Sequence, residues 1–321
     1  MAETLYSAKP IAASQVGGVR SRWWQKPAGK DTLIFYACIS PWIVGFLVFT
    51  LGPMLASIYF SMTSWDLINP PKFVALRNFS RLFTKDPLFL KSLWVTTYYT
   101  LGSVPLGLIV GLLIALLMNA RVKGMTVFRT IYYLPSVVSG VAVALLWQWV
   151  FNPQMGVING ILWLFKIHGP GWIYDENWVI PSFIIMSLWG VGGSMIIYLA
   201  SLQGVPTDLY EAASIDGADS KRRFFSITIP MITPVLFFNL IMGLIGSFQV
   251  FTQGLVMTSG GPNNASLFFV LYLYRNAFQY FKMGYAAAMA WVLFIIIMVL
   301  TLLVFRSSSW WVYYESEVKG R

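Results

Sequence analysis

Charge is what this sequence lacks most. Only 11% of its 321 residues are Asp, Glu, Lys or Arg, against 57% apolar, whereas a soluble domain carries about 25% charged residues. A chain of this length therefore has too little polar material to face water all round. Cysteine and histidine are nearly absent as well. The single Cys38 excludes an intramolecular disulfide and a cysteine-based metal cluster, and the lone His168 excludes paired-histidine zinc sites. There is no H-E-x-x-H pair and no EF-hand loop. The phosphate-cradling G-x-x-x-x-G-K-[ST] loop is also missing, because Gly29-Lys30 has no glycine five residues earlier. No acid pair or nucleophile–base pair lies near an apolar stretch, which argues against bond chemistry and so against an enzyme.

What remains is apolar and basic. The net charge is +10, but no aromatic-basic groove motif accompanies it, so nucleic acid is not implied. Membrane proteins gather Lys and Arg in cytoplasmic loops, and a lipid bilayer is the partner this composition demands. Six stretches are long enough to cross one, at about 33–60, 93–118, 127–151, 178–203, 227–250 and 285–305. None holds Asp, Glu or Lys, and Arg129 stands at the edge of the third, where it can snorkel. The expected fold is an all-α integral membrane protein with six transmembrane helices. Residues 1–32 read as a retained tail, with Arg20, Arg22, Lys26 and Lys30, and 33–321 as one membrane domain. Lys and Arg number 14 in the tail, the 119–129 turn, the 204–226 loop and the C-terminus, against 8 in the other three loops. That bias places both termini in the cytoplasm.

Two loops carry turn and cap signals. Between Asn152-Pro153 and Gly169-Pro170-Gly171, residues Ile158–Lys166 read as a short interfacial helix, with Trp163, Trp172 and Trp178 in an aromatic belt. In the 204–226 loop, Thr207 or Asp208 is placed to cap a short helix through Glu211 and Ala213. Asp216-Gly217 makes a turn, and Asp219 caps a second short helix with Lys221, Arg222 and Arg223 at its far end. Small residues at the turn (Ala212, Ala213, Gly217, Ala218) leave room for another backbone, and Glu211 and Asp216 offer fixed charges. On residue chemistry alone, a solvated amphipathic loop explains the stretch equally.

The pattern Glu211-Ala212-Ala213, Gly217, then Ile227-Thr228-Ile229-Pro230 resembles the "EAA" loop of bacterial ABC-importer membrane subunits. In that family the loop is a coupling helix that docks on the ATP-binding subunit. Further segments are similar to the carbohydrate importers: Leu134-Pro135, Phe151-Asn152-Pro153, Phe248-Gln249-Val250-Phe251, Met257-Thr258-Ser259-Gly260-Gly261-Pro262 and Gly284-Tyr285-Ala286-Ala287-Ala288. The resemblance implies a type I importer permease in the bacterial cytoplasmic (inner) membrane. It would move a sugar or oligosaccharide by alternating access, with a second homologous permease subunit, an ABC ATPase dimer and an extracytoplasmic solute-binding protein. No cofactor would bind this chain; ATP and Mg would belong to the ATPase. Glu211, Ala212, Ala213, Asp216, Gly217 and Ala218 would form the coupling surface, and Gly260, Gly261 and Pro262 an outer gate or docking turn.

Uncharged polar groups inside the spans are few: Ser136 and Ser139, Trp189 and Ser194, then Asn239, Ser247 and Gln249. Each is placed either to meet a solute or to bond a neighbouring helix, a contact worth about 0.6 kcal/mol. Alignment with the larger, sugar-holding type of subunit adds Ser136, Gly140, Met186, Trp189, Gly190, Gly193, Gly243, Ser247 and Val250 as pathway positions. Several are Asn or Tyr in the maltose-type subunit, so maltose itself is not implied. Gln148, between Trp147 and Trp149, reads either as a sugar clamp or as part of an interfacial belt. A polyol or glycerol phosphate remains an alternative solute, although a phosphate favours Lys or Arg within the spans. An ion-coupled carrier remains an alternative mechanism.

Overall fold

A computed structural model describes residues 27–120 and 122–313; most of the expected tail, including Arg20, Arg22 and Lys26, lies outside these. The chain divides into two compact units, residues 1–56 and 57–321. In the first, α1 (Pro27–Phe46) passes through a π-helical turn at Leu47–Leu51 into α2 (Gly52–Ser61), and 31–61 forms one apolar helix of spanning length.

The second unit begins at the end of α2 with a two-stranded antiparallel ribbon, β1 (Thr63–Ser64) on β2 (Lys72–Phe73). This is a small departure from an all-α expectation. The turn between the strands is built by Asp66, whose carboxylate accepts from Ile68 N and Asn69 N at 3.1 and 2.8 Å. Helix α3 (Arg77–Lys85) follows, then α4 (Pro87–Met118). Helix α4 starts six residues before its expected span and so takes in Lys91. That corrects the expectation of spans without lysine: Lys91 sits in the first turns and donates from Nζ to Asn263 O at 2.6 Å.

The third and fourth expected spans are each a pair of helices that meet at a bend. Helix α5 (Met125–Tyr133) and a 3₁₀ turn at Leu134–Val137 meet α6 (Gly140–Val150) at 100°. Pro135 and the extended Val138 and Ser139 end the first piece, and the Ser139 hydroxyl starts the second by accepting from Ala142 N at 3.4 Å. Helix α7 (Val157–Leu164) stands where a short helix was expected over Ile158–Lys166. Helices α8 (Val179–Trp189) and α9 (Gly192–Gln203) meet at 47° around Gly190-Val191. A Cβ on Gly192 would lie 2.3 Å from Tyr132 O, so the break and the close approach to α5 both depend on glycine.

After α10 (Thr207–Ile215), α11 (Ser220–Arg223) runs through a π turn straight into α12 (Ile229–Phe248), giving one helix over 220–248. The expected separate second helix is therefore the first turn of a span. Lys221, Arg222 and Arg223 stand at its N-terminal end, where the dipole does not favour them. Helix α13 (Phe269–Tyr274) and α14 (Met283–Trp311) complete the chain.

Helix α4 is the hub, packed by α8, α9 and α12. Along its buried side run the small or hydroxylated residues Ser92, Thr96, Thr100, Ser103, Gly111 and Ala115, three, four or eight positions apart. Two apolar cores lie at the two ends of this helix. One gathers Leu82, Phe89, Phe183, Phe268 and Tyr285. The other gathers Ala115, Met118, Tyr198, Leu202 and Ile232. Thirty-two residues of α4 set about 48 Å between its ends.

The first core is closed by Asp86, the N-cap of α4. Its Oδ1 accepts from Leu88 N and Phe89 N at 3.0 and 3.2 Å, and its Oδ2 from the hydroxyls of Tyr272 (2.6 Å) and Tyr285. Burial, then the Asp86 carboxylate, pushes the Tyr272 hydroxyl above its usual range, so it stays a donor at any physiological pH. One carboxylate thus joins α4, α13 and α14. Asp86→Ala strips a helix cap and leaves two partly buried phenols unpaired, so stability should fall by about 2–4 kcal/mol. Thermal unfolding in detergent measures this, and a loss below that of an ordinary exposed cap would contradict the joint role.

Candidate functional site

Two regions can do something other than hold the bundle together: the projecting 204–226 loop and a cavity beside the centre of α4.

The loop is a tied hairpin. Val205 is buried in the second core, and Pro206 precedes α10 in extended conformation. Neither Thr207 nor Asp208 caps the helix. Both lie inside its first turn, where Asp208 still favours the dipole. At the other end Gly217 takes φ +74°. Its N–H donates to Ser214 O at 3.2 Å, and that of Ala218 to Ala213 O at 2.8 Å. These paired bonds form a Schellman closure, which needs the left-handed residue that glycine supplies. Asp219 Oδ1 accepts from Arg222 N at 2.8 Å, as expected of a cap. Three further bonds fasten the hairpin. Tyr210 Oη and Thr228 Oγ1 lie 2.9 Å apart, Arg223 Nη1 donates to Ser214 Oγ at 3.0 Å, and Ser214 Oγ donates to Tyr210 O at 2.7 Å.

The outward face of this hairpin is mixed. Glu211, Ala212, Asp216 and Gly217 are exposed, while Ala213 and Ala218 are half-buried. Beside them Ile215 is 88% and Phe225 68% exposed. A large apolar side chain this bare on a rigid tip marks a surface that another protein covers. The sequence reading weighed the small and charged residues and passed over Ile215.

The cavity, of about 340 Å³, lies among α4, α8, α9 and α12. Gly190, Gly243, Ser247 and Val250 line it, four of the expected pathway positions. Ser194 and Asn239, also singled out in the spans, line it too. The remaining pathway positions go elsewhere. Met186 is buried in the first core, and Trp189 faces a different hollow beside Tyr132 and Pro135. Gln249 lines an apolar groove between α12 and α14. Ser136 is exposed at the bend and donates to Tyr133 O at 2.7 Å; Gly140 follows that bend, and Gly193 has open space around it. None of these six lines the cavity.

Tyr99, Ser103 and Ser187 were missed. The α4 pair reads as ordinary packing, because hydroxyl and small residues fill that whole face. In the cavity most hydroxyl and amide donors are spent on their own helix: Ser187 on Ile184 O (2.7 Å), Ser194 on Val191 O (2.8 Å), Ser247 on Leu244 O (3.0 Å) and Asn239 on Val235 O (2.9 Å). Their oxygens keep free lone pairs, and Ser103 Oγ is buried with no partner. The wall therefore offers acceptors to a donor-rich, uncharged guest, and among its lining residues there is no Lys, Arg, Asp or Glu.

Other expected elements resolve as packing or turns. Gln148 Nε2 donates to Met257 O at 3.3 Å, which ties α6 to the π turn at Gly254–Thr258 that follows α12. Phe248 and Met257 are buried, and Phe251 packs on Tyr274 with ring centres 5.0 Å apart. Gly260, Gly261 and Pro262 form a tight turn: Gly260 has φ +81°, Gly261 N donates to Thr258 O at 2.9 Å, and Ser266 Oγ donates to Gly261 O at 2.5 Å.

Comparison with known proteins places these features in company. Residues 103–310 match the family described as binding-protein-dependent transport system inner membrane component. The chain is 46% identical over 292 residues to the probable ABC transporter permease protein YesP of Bacillus subtilis (strain 168), covering 90% of this chain and 94% of that one. It is 32% identical over 304 residues to the arabinooligosaccharides transport system permease protein AraP of the same strain, covering 94% of each. Among solved structures, one chain of a bacterial alginate ABC transporter, in complex with an alginate pentasaccharide-bound periplasmic protein, superposes with a TM-score of 0.77. That chain is 25% identical, and the match covers 89% of this chain and 96% of that one.

Two substitutions separate cavity from scaffold. Ser103→Ala removes a buried hydroxyl that bonds nothing, so thermal stability should stay within about 0.5 kcal/mol of the parent or rise. Gly217→Ala forces a Cβ into the left-handed region and should cost about 1–2 kcal/mol. Differential scanning in detergent reads both, and a clear loss for Ser103→Ala would mean that its hydroxyl is paired after all.

Proposed function

The chain belongs to the family of binding-protein-dependent transport system inner membrane components, and on that footing we propose that it is one of two permease subunits of an ABC importer for a sugar or oligosaccharide. The observation that carries the solute class is the cavity wall, which is uncharged, rich in acceptors and bounded by four hydroxyl-bearing helices. Sugars present hydroxyl donors and apolar ring faces. A phosphate-bearing solute would call for a cation, and no Lys or Arg lines the wall.

In this reading six spans cross the membrane, with the bent α5–α6 and α8–α9 pairs each counted once and both termini in the cytoplasm. Residues 1–32 form a cytoplasmic tail, and the rest forms the permease domain. A solute-binding protein delivers the sugar to the side opposite the 204–226 loop, where the Gly260-Gly261-Pro262 turn gates or docks. The cavity is half of the pathway, and a second, similar subunit supplies the other half. ATP and Mg stay with an ATPase dimer, and this chain does no bond chemistry.

Coupling follows from the hairpin's fastenings. Glu211, Ala212, Ala213, Asp216, Gly217 and Ala218 form the tip that the ATPase grips, with Ile215 as its apolar anchor. The Tyr210–Thr228 and Arg223–Ser214 bonds join that tip to the start of the 220–248 helix. A push on α10 therefore moves α12, whose Asn239, Gly243 and Ser247 line the cavity. The tip and the cavity wall share one rigid element.

Co-expression with the neighbouring reading frames and purification through a tag on this chain tests the assignment. An ATPase should co-purify, and its activity should rise with one sugar-loaded binding protein. Transport in vesicles by this chain alone, without ATP, would replace the importer with an ion-coupled carrier. Glu211→Lys and Gly217→Asp should leave the subunit inserted and cut uptake by an order of magnitude or more. Undiminished uptake by both would defeat the coupling role.

A further inference from the structure

The end of the bundle opposite the 204–226 loop holds a second polar cavity, of about 500 Å³, beside α3. It is separate from the solute cavity and shares no lining residue with it. Arg77, Arg81 and Lys85 line it, one turn apart along a single face of the helix, together with Ser64, Asn78 and Ser80. The opposite face of α3 is anchored: Leu82 is fully buried in the first core and Phe79 packs against it. The cations are therefore presented by a helix that cannot roll away.

Among the described residues no carboxylate lines this cavity. The 61–92 segment has two, Asp66 and Asp86, and both are occupied. Asp66 is held by its own turn, where the hydrogen bonds of Asn69 keep its carboxyl below the usual range. Asp86 accepts from two backbone amides and two phenols. Arg81 is steered by a ring instead, with its guanidinium carbon 5.3 Å from the centre of Tyr285. Asn78 spends its amide hydrogens on Ser61 O and Thr63 O, both at 2.8 Å. The result is a hollow with three cations and two hydroxyls, and no internal anion among the described residues. That donor set suits a phosphate: planar guanidinium forks and hydroxyls for its oxygens, and an ammonium as point charge.

The surroundings say which phosphate. Leu76 and Phe83, on α3 and its approach, are 62% and 59% exposed, and Phe73 on β2 is 64% exposed. Helix α4 enters its span two residues after Lys85. Bare apolar side chains beside a cationic face, at the start of a membrane helix, are the arrangement of a segment lying in the bilayer interface. We propose that this cavity binds the phosphate of an anionic phospholipid headgroup in the leaflet opposite the 204–226 loop, with Leu76, Phe83 and Phe73 set against the acyl region. The proposal needs the membrane location alone and not the identity of the solute.

The test uses the full-length chain in nanodiscs of phosphatidylcholine doped with a photo-crosslinking phosphatidylglycerol, with the adducts mapped by proteolysis. Adducts should fall within residues 61–91. In the R77Q/R81Q/K85Q variant they should drop by about tenfold, since each basic group contributes to headgroup attraction. R77K/R81K should retain most of the signal. If the triple variant proves unstable in a melting assay, R77Q and K85Q decide singly, since neither residue's side chain bonds another part of the fold. Equal labelling by a phosphatidylcholine probe, or no adduct in this segment, overturns the proposal. Loss of the adduct on adding inorganic phosphate would assign the site to a free anion. Unchanged lipid labelling in the triple variant, with weakened stimulation by the binding protein, would assign it to an acidic protein surface.

Discussion

Everything in the second unit is spaced from one face of α4. Apolar attraction does not bring helices together in a membrane, because lipid tails are as apolar as the side chains; close contact must come from small residues and hydrogen bonds. Ser92, Thr96, Thr100, Ser103, Gly111 and Ala115 supply the small side chains on α4. A Cβ at Gly111 would sit 3.0 Å from Ser194 Oγ and 3.3 Å from the Tyr198 ring, so α9 rests almost on the α4 backbone there. Thr96 does a different job at the far end, where its hydroxyl accepts from Phe269 N at 2.9 Å and starts α13. The same face that packs the bundle also opens it. Where α8, α9 and α12 draw apart at Ser103 and Gly107, the cavity appears.

That geometry divides the labour along the chain. Large side chains fill the two ends, Phe89, Phe183 and Phe268 at one and Tyr198, Leu202 and Ile232 at the other. Between them the wall is rich in glycine and serine. The broken α8–α9 span bends within this middle zone, and Gly190, at the break, lines the cavity. Irregular backbone at membrane depth is tolerated where it lines a cavity or is buried in protein. The bend of α8–α9 is thus part of how room for a polar guest is made.

Much of this was legible from residue order. Hydrophobic length located the long apolar helices, and the Glu211–Pro230 pattern located the hairpin, because turn chemistry at Gly217 and a cap at Asp219 act locally. What sequence did not reveal depends on partners distant in the chain. The 100° bend between α5 and α6 went unread, because a proline interrupts a helix without fixing the direction in which the next one leaves. The π turn at 224–228 fuses two helices that cap signals alone would separate. Tyr99, Ser103 and Ser187 look like any other small or aromatic residues of a helix face until the gap between helices is seen. Of the pathway positions carried over from relatives, Gly190, Gly243, Ser247 and Val250 meet at one cavity, whereas Ser136, Met186 and Trp189 stand in other surroundings.

The glycines of the cavity wall have a further consequence. Gly107, Gly190, Gly243 and Gly246 stand where any other residue would project a side chain inward or against a neighbour. At Gly246 a Cβ would meet nothing within 4 Å, and at Gly243 only Val104 at ordinary contact distance. Volume can therefore be taken from the cavity one methyl group at a time without disturbing the cores or the hairpin. Under the proposed function, lineages of this subunit could exchange one guest for another by substitution at a few tolerant sites. The drive apparatus would be inherited unchanged, and selectivity would evolve faster than coupling.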